Sequence, residues 1–204
     1  MGTLVKFSRQ PKGTPVGGEF AEAHHPDGPD LTSENTNPIE ELVFELHTYE
    51  GRRHNNPDGS LGGFVALTAL VAPTATVGLN AKVLDYALVR GSAHIVGSAT
   101  VSGNAEVSDR ATVSYNAKVS GSAQVLDDAV VEGFAQVDDN AMIYGSARVA
   151  NAGHVYGNAQ VYDNAMILEA AEARDRAKVH GKAIGKGKVI FGGDTNIKRG
   201  TSTK

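Results

Sequence analysis

From Ala69 to Lys188 the chain repeats one six-residue pattern, Ala-x-Val-x-Gly/Asp-Asn/Ser, twenty times in succession. Position one of the hexad is Ala in nineteen of twenty copies, Gly153 being the exception. Position three is Val or Ile in eighteen, with Ala173 and Gly185 departing. A small, a variable and a branched residue in alternation predict a short strand whose first and third side chains point inward. The Gly, Asp, Asn and Ser of positions five and six are turn formers. Each hexad is therefore one strand and one corner.

Six residues bury nothing alone, so the strands must stack on copies of themselves, which predicts an all-β solenoid, a parallel β-helix. Position five is Gly or Asp in fifteen copies, among them Gly91, Gly97, Gly103, Asp127 and Asp139. Position six is often Asn, as in Asn104, Asn116, Asn140, Asn158 and Asn164. Gly and Asn tolerate positive φ at low cost, so a sharp bend can recur at every corner. Inside, Val101, Val119, Val137 and Val155 are expected to stack on one another. Each contributes about 1.5 to 3 kcal/mol on full burial, against a backbone ordering cost of about 1 to 2 kcal/mol per residue. A single rung is therefore unstable, and only the stacked array folds.

Of the 204 residues the hexads take up 120, which leaves room for appendages but not for a second globular domain. With no Cys there is neither a disulfide nor a thiolate ligand or nucleophile. No apolar run approaches the roughly 18 residues that span a bilayer, and the start MGTLVKFSRQPKGTP lacks the apolar centre of a signal peptide. These features predict a cytoplasmic protein with no membrane partner. Residues 1–68 carry 5 basic and 10 acidic side chains, the hexads 11 and 12, and the last sixteen residues 3 and 1. A nearly neutral column without a basic stripe is not expected to bind nucleic acid. Its middle, with Asp127, Asp128, Glu132, Asp138 and Asp139, is locally acidic, and Asp as a good corner residue accounts for most of that.

Residues 1–37 contain Gly13, Pro15, Gly17, Gly18 and the stretches HHPDGPD and SENTN, with too few apolar side chains for a core; they predict a flexible arm. Residues 38–68 form an N-terminal cap. Within it, IEELVFELHTYE fits a helix through Ile39, Leu42, Val43 and Leu46, or a strand through the alternation from Leu42 to Tyr49, and periodicity alone does not choose. Residues 189–204 supply a terminal rung, Val189, Ile190 and Phe191, and a polar tail. Caps are required because a β-helix exposes unpaired backbone at both ends.

The hexads resemble those of the bacterial hexapeptide-transferase superfamily. That resemblance implies a left-handed helix with three hexads to a triangular coil, hence six to seven coils here and a prism roughly 30 Å long. The entry SLGGFV and the run YGNAQVYDNA from Tyr156 to Ala165 are similar to a group of enterobacterial and prophage-borne hexapeptide-repeat proteins, over about residues 42 to 190. In that group a short strand and a loop precede the first hexads, which implies the strand for residues 42–49. The group brings architecture and a phage or prophage context, but no chemistry. The segment RQPKGTPVGGEFAE looks like a stretch found ahead of unrelated domains in actinobacterial and phage-associated proteins.

Members of the superfamily are often acyltransferases that use CoA donors and a His general base, and a smaller branch are carbonic anhydrases. Three His lie in the hexads, His94, His154 and His180, all at outward positions. Counting hexads by threes places them on three different faces, with His94 and His154 roughly 16 Å apart along the axis. They are weak catalytic candidates and cannot share one metal within a subunit. No metal site and no cofactor is expected. His24 and His25 fall in the arm. The segment GKAIGKGK lacks P-loop spacing and reads as a basic end, and outward Thr at Thr76, Thr100 and Thr112 makes no ice-binding ladder.

One outward column is not random. Leu126, Tyr144, Tyr162 and His180 recur eighteen residues apart with Met142 beside them, and Tyr156 lies on a neighbouring face. Such a strip suits self-association into a dimer or trimer, or a protein partner. The function these features predict is a non-catalytic scaffold or binding module. The alternative is a CoA-dependent acyltransferase with His94, His154 or His180 as base at a subunit interface. A third option is inhibition of a host protein through the acidic middle.

Overall fold

A computed structural model describes residues 36–203 as strands and corners, with no helix among them. The arm expected over residues 1–37, with His24 and His25, falls outside the described residues except for Thr36 and Asn37.

The hexads form a parallel β-solenoid, as their pattern predicts. Its short strands fall into three columns, each strand paired in parallel with the one eighteen residues away. The first face runs from β3 (Leu61–Ala66) through Lys82–Val83, Thr100–Val101 and their successors to Ile190–Phe191. The second starts at Leu70–Val71 and the third at Thr76–Val77, and both run into the long strand Lys178–Lys186, which bends round a corner to serve both. The backbone ladder is regular: Lys118 N donates to Ala135 O and Ser120 N to Val137 O, each at 2.9 Å.

The interior is the stacked lining of positions one and three. Val101, Val119, Val137 and Val155 are in register and fully buried, as their spacing predicts. The two departures at position three have a physical reason. At Gly185 a Cβ would come within 2.4 Å of the Phe191 ring, and Ala173 pairs with Phe191 directly, so small residues there make room for the aromatic that closes the core.

The corners differ from expectation in one respect. Positive φ belongs to position five in every hexad from Asp85 to Gly187, and not to the Asn of position six: Asn104, Asn116, Asn140, Asn158 and Asn164 are all outside the left-handed region. Asp is admitted at position five because its carboxylate has a fixed task there. Asp85, Asp109, Asp127, Asp139, Asp163 and Asp175 each accept a hydrogen bond from the position-five N–H one rung further on, at 2.8 to 3.3 Å. A short side chain with a local acceptor role offsets the steric cost of the left-handed backbone.

The N-terminal cap is a hairpin and not one strand. β1 (Glu40–Phe44) and β2 (His47–Asn55) pair antiparallel across Glu45 and Leu46, at φ of 46° and 69°. Positive φ at both central residues is the I′ turn that suits a hairpin's twist. Apolar alternation continues through the turn, and neither Glu nor Leu marks it, so a strand from Leu42 to Tyr49 is broken where the sequence gives no sign. β2 then pairs with β3 and extends the first face. On the third face, side chains stand in for a strand. The His54 ring Nε2 lies 3.0 Å from Ala75 O, and Val77 N donates to Asn56 Oδ1 at 2.9 Å. At the other end the polar tail is also a strand: Asn196–Thr203 pairs in parallel with Lys178–Lys186.

Candidate functional site

Because positions one and three are committed to the core, any chemistry on the hexads must come from positions two and four on the faces and five and six at the corners. At position four of the second face the expected column forms a stack. Tyr144 and Tyr162 lie with ring centroids 4.8 Å apart and planes 2° from parallel, and Tyr162 and His180 follow at 4.7 Å and 7°. These distances suit offset aromatic stacking. Leu126 continues the column below, and Met142 sits beside it in register with Gln124 and Gln160. All are half-buried by their own neighbours along the face. Burial, with lesser effects of Tyr162 and Asp163, raises the Tyr144 hydroxyl pKa, so that phenol is neutral at physiological pH. At its end His180 Nε2 lies 2.7 Å from Asn196 Oδ1, and Nδ1 lies 3.8 Å from Asp163 Oδ2.

The three histidines stand on three different faces, as their spacing predicts. His94 is exposed between Thr76 and Thr112 on the third face. His154, on the first, is the most engaged. Its Nε2 is 2.5 Å from Asp138 Oδ2, its ring packs 4.4 Å from that of Tyr156, and Ser120 Oγ donates to Asp138 Oδ1 at 3.2 Å. Tyr156 in turn donates to Glu172 Oε2 at 3.3 Å. Tyr156 therefore belongs to a polar network on the first face and not to the aromatic ladder of the second. Among the described residues no three His, Asp or Glu converge so as to hold a metal ion.

The acidic middle is largely spoken for. Asp127 and Asp139 serve the corner backbone, Asp128 pairs with Arg110 at 2.8 Å, Glu132 pairs with Arg148, and Asp138 holds His154. Little unpaired carboxylate is left there to recognise a basic partner.

Two features escape a reading confined to positions two and four. Tyr115 and Phe134, 65% and 68% exposed, stand with Leu79 on the third corner, the only one of the three with no Asp at position five. Their signal is the break in the corner rule itself. His54 is the other: it is 7% exposed, and burial holds its imidazole below the usual pKa, only partly offset by the bond to Ala75 O.

Comparison with protein-family models, with curated proteins and with solved structures finds no match to this chain. The hexapeptide and prophage resemblance therefore rests on the residues that carry it.

Proposed function

We propose that the protein is a non-catalytic scaffold or protein-binding module. We infer a left-handed hexapeptide-repeat solenoid of phage or prophage type, working in the cytoplasm and engaging its partner through the second face. The observation that carries this reading is the stacked ladder Tyr144–Tyr162–His180 with Leu126 and Met142 alongside. Stacking fixes each ring before any partner arrives, so little side-chain entropy remains to be lost on binding, and aromatic and Met side chains are enriched at contact surfaces. The favoured occupant is a second copy of the chain, in a dimer or trimer. Sedimentation velocity tests it: the wild type is expected to sediment as an oligomer and Tyr144→Glu as a folded monomer. A monomeric wild type at high concentration would leave only a foreign protein partner.

A second reading, a CoA-dependent acyltransferase at a subunit interface, is favoured by one observation, the Asp138 carboxylate against His154. A carboxylate that orients an imidazole is what a general base for an acceptor hydroxyl or amine needs. Calorimetric titration with acetyl-CoA decides: no heat and no thermal shift would remove this reading.

A further inference from the structure

At the corner between the second and third faces a groove of about 680 Å³ runs past successive rungs, flanked by Ser146, Asp163, Asn164, Lys182, Lys198 and Arg199. That volume is in the range of small-ligand sites. Its charges are arranged in a way that folding alone does not explain. Lys182 and Arg199 are direct cross-strand partners between Lys178–Lys186 and Asn196–Thr203, and like charges placed opposite one another destabilise a sheet. Of the other cations nearby in the sequence, Arg176 pairs with Asp194 at 2.7 Å and Lys186 with Glu169 at 3.2 Å, while among the described residues Lys178 and Lys188 stand singly along the strand and the last hexad. Lys182, Lys198 and Arg199 hold no carboxylate among the described residues. The one acid of the groove, Asp163, is turned to the corner backbone through Oδ2, which accepts from Gly181 N at 3.0 Å, and its single negative charge is outnumbered by the three cations.

Protection of an exposed sheet edge by charge accounts for a charged residue at position 199. Basic residues are favoured in that role, so it covers the sign at position 199 too; what it does not cover is a second cation, Lys182, set directly opposite. Below Lys182 on the same corner stand Ser146 and Asn164. Their backbone N–H groups are spent on Asp163 O and Gly181 O, which leaves their exposed side chains to offer an O–H and an amide N–H to the groove.

We propose that this groove binds an anion bearing clustered phosphate or sulfate groups, held by Lys182, Lys198 and Arg199 with Ser146 and Asn164 as hydrogen-bond donors. Charge-assisted hydrogen bonds from a guanidinium and ammonium groups are the strong contacts for such oxygens. Because Arg199 and Lys198 lie on Asn196–Thr203 and Lys182 on the strand it pairs with, a bound anion ties this end of the solenoid together. The ligand is either a small molecule or a polymeric polyanion, and both share this chemistry.

The test uses the full chain, titrated at low salt with inorganic pyrophosphate and, separately, with long-chain inorganic polyphosphate, by calorimetry and thermal unfolding. One-to-one pyrophosphate binding with a raised Tm identifies a small ligand; binding of polyphosphate alone identifies a polymer. Lys182→Gln and Arg199→Gln are each expected to weaken binding about tenfold or more, and Lys188→Gln, outside the groove, to leave it unchanged. Arg199→Glu gives the sharpest contrast, since it pairs with Lys182: it is expected to unfold at a higher temperature than the wild type yet to bind neither anion. Absence of binding to the wild type, equal binding by Arg199→Glu, or equal weakening by Lys188→Gln would each overturn the proposal.

Discussion

Each corner from Asp85 to Gly187 bends through a left-handed residue at position five, and Gly or Asp fills most of these places. Tyr115 has neither device, since it is not Gly and sends no carboxylate to the next rung. A left-handed backbone costs a residue with a Cβ roughly 1 to 2 kcal/mol, and Gly costs about 0.5 to 1 kcal/mol more to order than Ala. Tyr115→Gly is accordingly expected to raise stability by about 0.5 to 1 kcal/mol in urea titrations, the more readily because the ring is exposed and little packing is lost. His54 gives a pH prediction. Its folded pKa lies below its unfolded value of about 6.5, so the chain binds more protons unfolded than folded between the two. The stability it contributes is therefore present above about pH 6.5 and is lost as pH falls through the folded pKa. His54→Gln removes that titration, and the decline in urea midpoint between pH 7 and 5 is expected to be shallower in the variant than in the wild type.

Among the elements, the hexad strands were legible because a two-residue strand and its corner fit inside one repeat, and twenty copies average away local exceptions. The caps were not. Glu45 and Leu46 make a tight turn with residues that carry no turn preference, and the strand Asn196–Thr203 is polar because it lies exposed on an edge, so composition marks it as tail. The His54 and Asn56 contacts join the end of β2 and the residue just past it to the first hexad of the third face, which no periodicity links. The aromatic ladder was readable from its eighteen-residue spacing, whereas the exposed pair Tyr115 and Phe134 sits at corner positions whose usual content is Gly, Asp and Asn. At the C-terminal end, Gly185→Val is expected to destabilise by about 1 to 3 kcal/mol through overpacking against Phe191. Combining it with Phe191→Ala should give a smaller loss than the sum of the two, because the cavity and the added methyls meet at one place. Full additivity in denaturation would show that the ring and Gly185 do not share that space.

For the whole molecule, every rung touches only the rungs before and after it, so stability accumulates as nearest-neighbour terms and not through one shared centre. Ile143→Ala, which truncates a fully buried side chain near the middle, is expected to cost about 2 to 5 kcal/mol. Its loss of hydrogen-exchange protection should be greatest at the rungs carrying Val125 and Val161, its direct partners, and should fade toward the ends. A uniform loss along the chain would show a cooperative unit spanning the entire column.

The eighteen-residue register also makes the chain a ruler. Adding or deleting one full set of three hexads between two surface features would change their separation by one step of about 4.8 Å while keeping them on the same side. A gain or loss of a single hexad would swing one of them a third of the way round the axis. Spacing and bearing on this surface can therefore be changed independently, in whole steps, by the length of the gene alone.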